Sequence, residues 1–181
     1  MTSLKKLEQE YLGFSIVTFD EAGFRLVPVY KKVWFFKGEK PTGVFFWSNK
    51  RINIFGALVD GKNLHYEFYD SMNSLTYKAF LSGFVETISP KKKYVFLFDN
   101  AAYHKSSSII KYLKSLNKNI VVEFFPPYSP ELNLTETCWK IIRANVTNST
   151  YYPALDGMQQ EIEKFIDKHK FILNLSNYLC R

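Results

Sequence analysis

Apolar positions along the chain switch between runs suited to strands and the three-to-four spacing of helices, and the switches outline an α/β domain. Gly13–Gly23 (GFSIVTFDEAG) reads as a strand followed by a turn. Phe24–Pro41 carries Pro28 inside its first apolar run, which argues for an edge or a strand break, and turns at Gly38–Pro41. Val44–Ser48 and Arg51–Val59 are strands joined by Ser48-Asn49-Lys50, and Asp60–Asn63 makes a hairpin into Leu64–Tyr69. Gly56, inside a strand, marks a bulge or a close contact.

Past Tyr69 the period lengthens. Tyr77, Phe80, Leu81, Phe84 and Ile88 recur at helical spacing, with Asn73 or Ser74 as the cap. Tyr94–Phe98 is nearly all apolar, as a central strand buried on both faces would be. Ser106–Asn117 is a helix with Ile109, Leu113 and Leu116 inward and Lys105, Lys111, Lys114 and Lys118 outward; Ile120–Phe125 reads as another buried strand. A Pro126–Pro130 loop leads into a helix over about Leu132–Val146, and Leu155, Met158, Ile162, Phe165 and Ile166 line one side of a last long helix. Alternating strands and helices over residues 64–147 imply right-handed crossovers and parallel central strands, with an antiparallel portion beside them. Residues 1–12 read as a lead-in holding a short helical pattern (Leu4–Tyr11), 13–150 as the main domain, and 151–181 as a helical extension packed on it.

Length and composition narrow the class. At 181 residues the chain fits one domain, and 17 Phe with 12 Tyr make it strongly aromatic. No apolar run approaches a membrane span, and Met1–Glu8 lacks the apolar stretch of a secretory signal. Two cysteines, Cys138 and Cys180, do not make a disulfide framework, which favours an intracellular, cytoplasmic setting. The net charge of +7, from 24 Lys plus Arg against 17 Asp plus Glu, is mostly lysine and suits non-specific phosphate contact.

The candidate chemistry is acidic. Asp99 ends an apolar strand, Glu136 lies in the first turn of the helix after the proline loop, and Asp20-Glu21 follows another strand. Hard oxygen donors collected from several element ends suit divalent ions such as Mg2+, and phosphate substrates complete such a site. Each residue also has an ordinary reading. Asp20 precedes Gly23 in a turn-like stretch, Glu136 complements a helix dipole, and Asp70, which ends the third strand and competes for a metal-site role, is needed equally by a turn or cap. Lys31, Lys32, Lys37 and Lys40, interleaved with Trp34, Phe35 and Phe36, read either as a cationic ledge for a DNA backbone or as a solvated hairpin edge protected from pairing. His65 reads as a surface or packed histidine, and no Cys or second His stands at zinc-ligand spacing.

Four stretches together resemble the catalytic domain of the mariner superfamily of DDE transposases, including its bacterial insertion-sequence branch. They are Phe19–Phe24 (FDEAGF), Trp34–Pro41 (WFFKGEKP), Val95–Lys105 (VFLFDNAAYHK) and Pro126–Trp139 (PPYSPELNLTETCW). The resemblance implies an RNase H-like (ribonuclease H/integrase) α/β fold, a mixed five-stranded sheet flanked by helices. Asp20, Asp99 and Glu136 would bind two Mg2+ or Mn2+ ions, Asp20 shared and the others one each. Asn100 and His104 match positions beside the second carboxylate, where orientation or DNA contact is implied, and Trp139 matches a structural aromatic. Asn100 and His104, with Lys105, Lys140 and Arg143, complete the DNA-contact candidates. The implied activity is hydrolysis of DNA phosphodiesters at element ends and strand transfer into TA-containing duplex DNA, by a homodimer.

Two departures stand out. The family usually carries helix-turn-helix domains before the catalytic domain, whereas about twelve residues precede the first strand here. That points to a catalytic fragment, a split transposase working with a separately encoded DNA-binding domain, or a decayed copy. The family's usual L-N-P-I-E also reads L-N-L-T-E from Leu132 to Glu136. An RNase H-like nuclease of another class, such as a ribonuclease H or junction resolvase, and an inactive accessory remnant that binds DNA or the intact transposase are the competing readings.

Overall fold

The computed structural model describes residues 11–26, 36–39, 48–101, 104–116, 119–127, 129–148 and 150–174. The expected helix at Leu4–Tyr11, the strand at Val44–Ser48, and Lys31, Lys32 and Lys40 fall wholly or mainly outside them. Five strands form one sheet in the order β3-β2-β1-β4-β5, where β1 is Ser15–Arg25, β2 Arg51–Val59, β3 Asn63–Tyr69, β4 Tyr94–Phe98 and β5 Ile120–Phe124. β2 is antiparallel to both β1 and β3, whereas β1, β4 and β5 run parallel. The mixed sheet expected from the order of elements is therefore present.

Four α-helices accompany the sheet among the described residues: α1 Ser74–Thr87, α2 Ser107–Ser115, α3 Leu134–Ile142 and α4 Leu155–Lys168. Strand alternation divides their partners between two faces. Val17, Phe19, Phe55, Phe96 and Phe98 pack with Tyr77, Phe80, Phe84 and Ile109 of α1 and α2. Ala22, Phe24, Ile54 and Leu58 pack with Cys138, Trp139 and Ile142 of α3 and Met158, Ile162 and Ile166 of α4. Asn73 caps α1 by accepting from the backbone N–H groups of Leu75 and Thr76, and the Thr76 hydroxyl accepts from the Asn73 N–H in return.

Several elements depart from the sequence pattern. β1 does not turn at Asp20–Gly23 but stays extended to Arg25, because β2 is long enough to pair with it through Arg25↔Arg51. β5 is half-buried rather than buried, since it occupies the sheet edge. The helix expected from Leu132 begins as a 3-10 turn at Pro130–Leu132, becomes α-helical at Leu134, and ends in a π-helical turn at Arg143–Thr147. Asp70 is not the cap of α1; its carbonyl accepts from the Asn53 amide.

Gly56 proves to be a close contact rather than a bulge. It pairs in register with Asp20 on one side and Tyr66 on the other, and a Cβ there would sit 2.5 Å from the Trp139 ring. The indole needs this bare backbone to approach β2 so closely. Gly61 has φ 67° at the β2–β3 turn, and a side chain there would run into the Leu173 carbonyl.

Candidate active site

The parallel pairing of β1 and β4 stops at Thr18↔Leu97, while β1 runs on against β2. Asp20 thus stands just beyond the last β4 partner, and Asp99 follows β4 directly. Glu136 comes from the first turn of α3. All three line one cleft of about 450 Å3, together with Asn100, Ala101, Phe125, Pro126, Pro127, Ser129, Pro130 and Asn133.

The charge of the neighbouring carboxylates acts on Asp20. Burial pushes the Asp20 carboxyl up to about 8, and the charges of Glu21, Asp99 and Glu136 add to the rise. Burial acts the same way on Asp99. There the hydrogen bonds from His104 and the Ala101 N–H, with the charges of His104 and Lys105, more than offset it and hold the carboxyl below its ordinary value. Even so, among the described residues no group of three His, Cys, Asp or Glu side chains is gathered closely enough to hold a metal ion.

The start of α3 is clipped onto β1 immediately before Asp20. Asn133 caps the helix by accepting from the Thr135 N–H at 3.2 Å, and its Nδ2 donates to the Phe19 carbonyl at 3.0 Å. The Thr135 hydroxyl donates to the Thr18 carbonyl at 2.6 Å and lies 2.7 Å from the Thr18 hydroxyl. A hydroxyl has one proton, so Thr18 must be the donor in the second contact. Asn133, Thr135 and Thr18 are all buried. This pairing gives the T of L-N-L-T-E a partner, Thr18, in the otherwise apolar I-V-T-F of β1. Sequence reasoning missed it, although a lone Thr in that run was the available signal.

The remaining candidates sort by what they touch. Asn100 ties two strand ends together: its Nδ2 donates to the Phe125 carbonyl at 2.6 Å and its Oδ1 accepts from Lys105 at 2.6 Å. The Lys105 ammonium also stands 5.2 Å from the centre of the Phe124 ring. Lys140 is exposed and pairs with Glu136 at 3.2 Å, one helical turn away. Arg143 lies over the Phe24 ring at 4.9 Å and donates to the Gly23 carbonyl at 3.4 Å. Burial lowers its pKa, opposed by the charges of Asp20 and Glu136. Lys37 is exposed on a turn. His104 is fully buried against Tyr77 and Phe98, with its ring nitrogen 2.5 Å from Asp99. His65 packs on Phe80 and Phe84. Free Cys138 is buried, with its thiol pushed up to about 12 by burial.

A mixed 3-2-1-4-5 sheet with helices on both faces is the RNase H-like fold. The chain belongs to the DDE superfamily endonucleases, whose family model matches residues 15–159. No curated relative matches it. Among solved structures it is similar to a pre-cleavage Mos1 transpososome (TM-score 0.74, 17% identity, 96% of this chain and 53% of that one). The Mos1 strand transfer complex (TM-score 0.72, 18% identity, 96% and 52%) and a mariner Mos1 paired-end complex with Mg (TM-score 0.72, 18% identity, 90% and 50%) are similar too. The chain therefore spans about half the length of these Mos1 chains. Among the described residues no helix is long and apolar enough to cross a membrane.

Proposed function

We propose that this chain is the catalytic domain of a DDE transposase, hydrolysing DNA phosphodiesters at element ends and joining the freed 3'-hydroxyl to target duplex. The single observation that carries the reading is the shared cleft of Asp20, Asp99 and Glu136, in which burial and the neighbouring negative charges make ionisation of Asp20 unfavourable. That donor set is hard oxygen throughout, and Asp20 within it faces burial and neighbouring negative charge, which is the chemistry Mg2+ or Mn2+ satisfies. Asp20, Asp99 and Glu136 would hold the divalent ions. Bound there, the ions would polarise the scissile phosphate and supply an activated water.

The protein's own groups have distinct tasks in this reading. Asn133, Thr135 and Thr18 hold the helix of Glu136 against the strand of Asp20. Asn100 and Lys105 brace the proline loop that walls the cleft. Lys37, Lys105 and Lys140 present cations to a DNA backbone, as Lys31, Lys32 and Lys40 would from the 24–41 segment. The partners are duplex DNA with TA at the target and a second copy of the chain. Residues 13–150 are the catalytic unit, with 151–181 an extension whose Met158, Ile162 and Ile166 join the same core.

A nicking assay with Mg2+ and an EDTA control tests the assignment. Asp99→Asn is expected to stay folded and lose cleavage; wild-type cleavage by that variant would sink the role of the triad. A preference of the parent for an RNA–DNA hybrid over duplex DNA would replace the transposase reading with a ribonuclease H.

A further inference from the structure

Asp20 and Glu21 are adjacent in β1, so their side chains leave opposite faces of the sheet. Asp20 points with Ala22 and Phe24 toward α3, where Glu136 lies. Glu21 points with Val17 and Phe19 toward α1 and α2, where His104 is packed. Asp99, at the end of the neighbouring strand, is reached from both sides. It lines the cleft, yet its Oδ1 already accepts from His104 Nδ1 at 2.5 Å and from the Ala101 N–H at 3.0 Å. The far nitrogen of the same ring, Nε2, lies 3.8 Å from Glu21 Oε2.

Glu21, His104 and Asp99 thus form a line of acid, imidazole and acid running beneath the sheet end. The middle member is sealed: the His104 side chain has no solvent exposure, and its ring centroid is 4.4 Å from that of Tyr77 and 6.0 Å from that of Phe98. The aromatic faces restrict the plane of the ring, and the hydrogen bond at Nδ1 together with the Glu21 carboxylate facing Nε2, a charge contact rather than a hydrogen bond, favours the rotamer that turns Nδ1 to Asp99. Aiming a ligand carboxylate through a buried imidazole leaves its other oxygen for the cleft.

We propose that Glu21 is a positioning residue: through His104 it sets the orientation of Asp99, while contributing no ligand to the cleft. The inference rests on the metal reading of that cleft. It separates two adjacent acids that the sequence presents as a pair, assigning Asp20 to the reacting side and Glu21 to the support behind it.

The test uses the full chain and two readouts, with thermal midpoints confirming that each variant is folded. The first is the His104 ring signal in long-range 1H–15N spectra of metal-free protein, assigned by elimination with His65→Gln and His169→Gln. The second is Mn2+ affinity, by electron paramagnetic resonance and calorimetry. Glu21→Gln keeps the side chain's volume and is expected to move the His104 signal and weaken Mn2+ binding about tenfold, the usual scale for residues that orient a ligand. Glu21→Ala should do at least as much. If Glu21→Gln leaves both readouts at wild type while Glu21→Ala changes them, the side chain acts only by packing and the proposal is overturned. Unchanged readouts in both variants overturn it as well. A wild-type protein that binds no Mn2+ overturns the metal reading itself; a His104 signal unmoved by Glu21→Gln in metal-free protein overturns only the coupling.

Discussion

Replacing Thr135 with valine keeps the shape of the side chain and removes one oxygen from a site with no solvent exposure. The wild-type hydroxyl both donates to the Thr18 carbonyl and accepts from the Thr18 hydroxyl. Thr135→Val therefore strips two groups of a partner at once, and unmet buried polar groups cost about 1–3 kcal/mol. A loss of about 2 kcal/mol is expected, which lowers the midpoint of a chain this size by roughly 4–8 °C. Thr18→Val is milder, because the Thr135 hydroxyl keeps its proton on the Thr18 carbonyl and only an acceptor role is lost; about 1 kcal/mol is expected. The double variant should cost no more than Thr135→Val alone, since the stranded Thr18 hydroxyl is gone, so the pair couples by about 1 kcal/mol. Urea unfolding of the four proteins with a common m-value measures this. Equal single losses that simply add in the double variant would refute the hydrogen-bond direction and the clip with it.

Gly56→Ala should lose about 1–3 kcal/mol by overpacking, because the new methyl meets the buried indole of Trp139; an unchanged urea midpoint would contradict the close approach. Asp20 in metal-free protein has a folded pKa raised from 3.8 to about 8, so between those values the native state binds more protons than the unfolded one. Its contribution to stability is complete below about 4 and is lost as pH rises through 8; a parent curve that differs from that of Asp20→Asn by a constant over this range would rule it out. Lys140→Ala should change stability by less than about 0.5 kcal/mol, since its pair with Glu136 is exposed. It should also reduce the salt slope of DNA binding by roughly one, and an unaltered slope would remove Lys140 from the contact surface.

Much of the architecture is already written in local pattern. The helical spacing of Tyr77, Phe80, Leu81 and Phe84 and the apolar run Tyr94–Phe98 each follow from burial of one face or two, and both are where the periodicity places them. The family was legible from the D-N-x-x-x-H and P-P-Y-S-P-E-L-N stretches, since motif spacing is itself a linear property. Boundaries that depend on a partner were not. β1 stays extended past Asp20 only because β2 pairs along its whole length, and β5 loses its cover only because it lies at the edge.

The site divides along the same line. The chain by itself offered carboxylates at element ends one at a time, and the family resemblance singled out Asp20, Asp99 and Glu136 among them. Only tertiary structure faced them into one cleft, sent Glu21 to the opposite face from its neighbour, and met Thr135 with Thr18 across 117 positions of chain. Such pairings are made by the packing of a helix onto a strand, and no short window of sequence contains both halves of them.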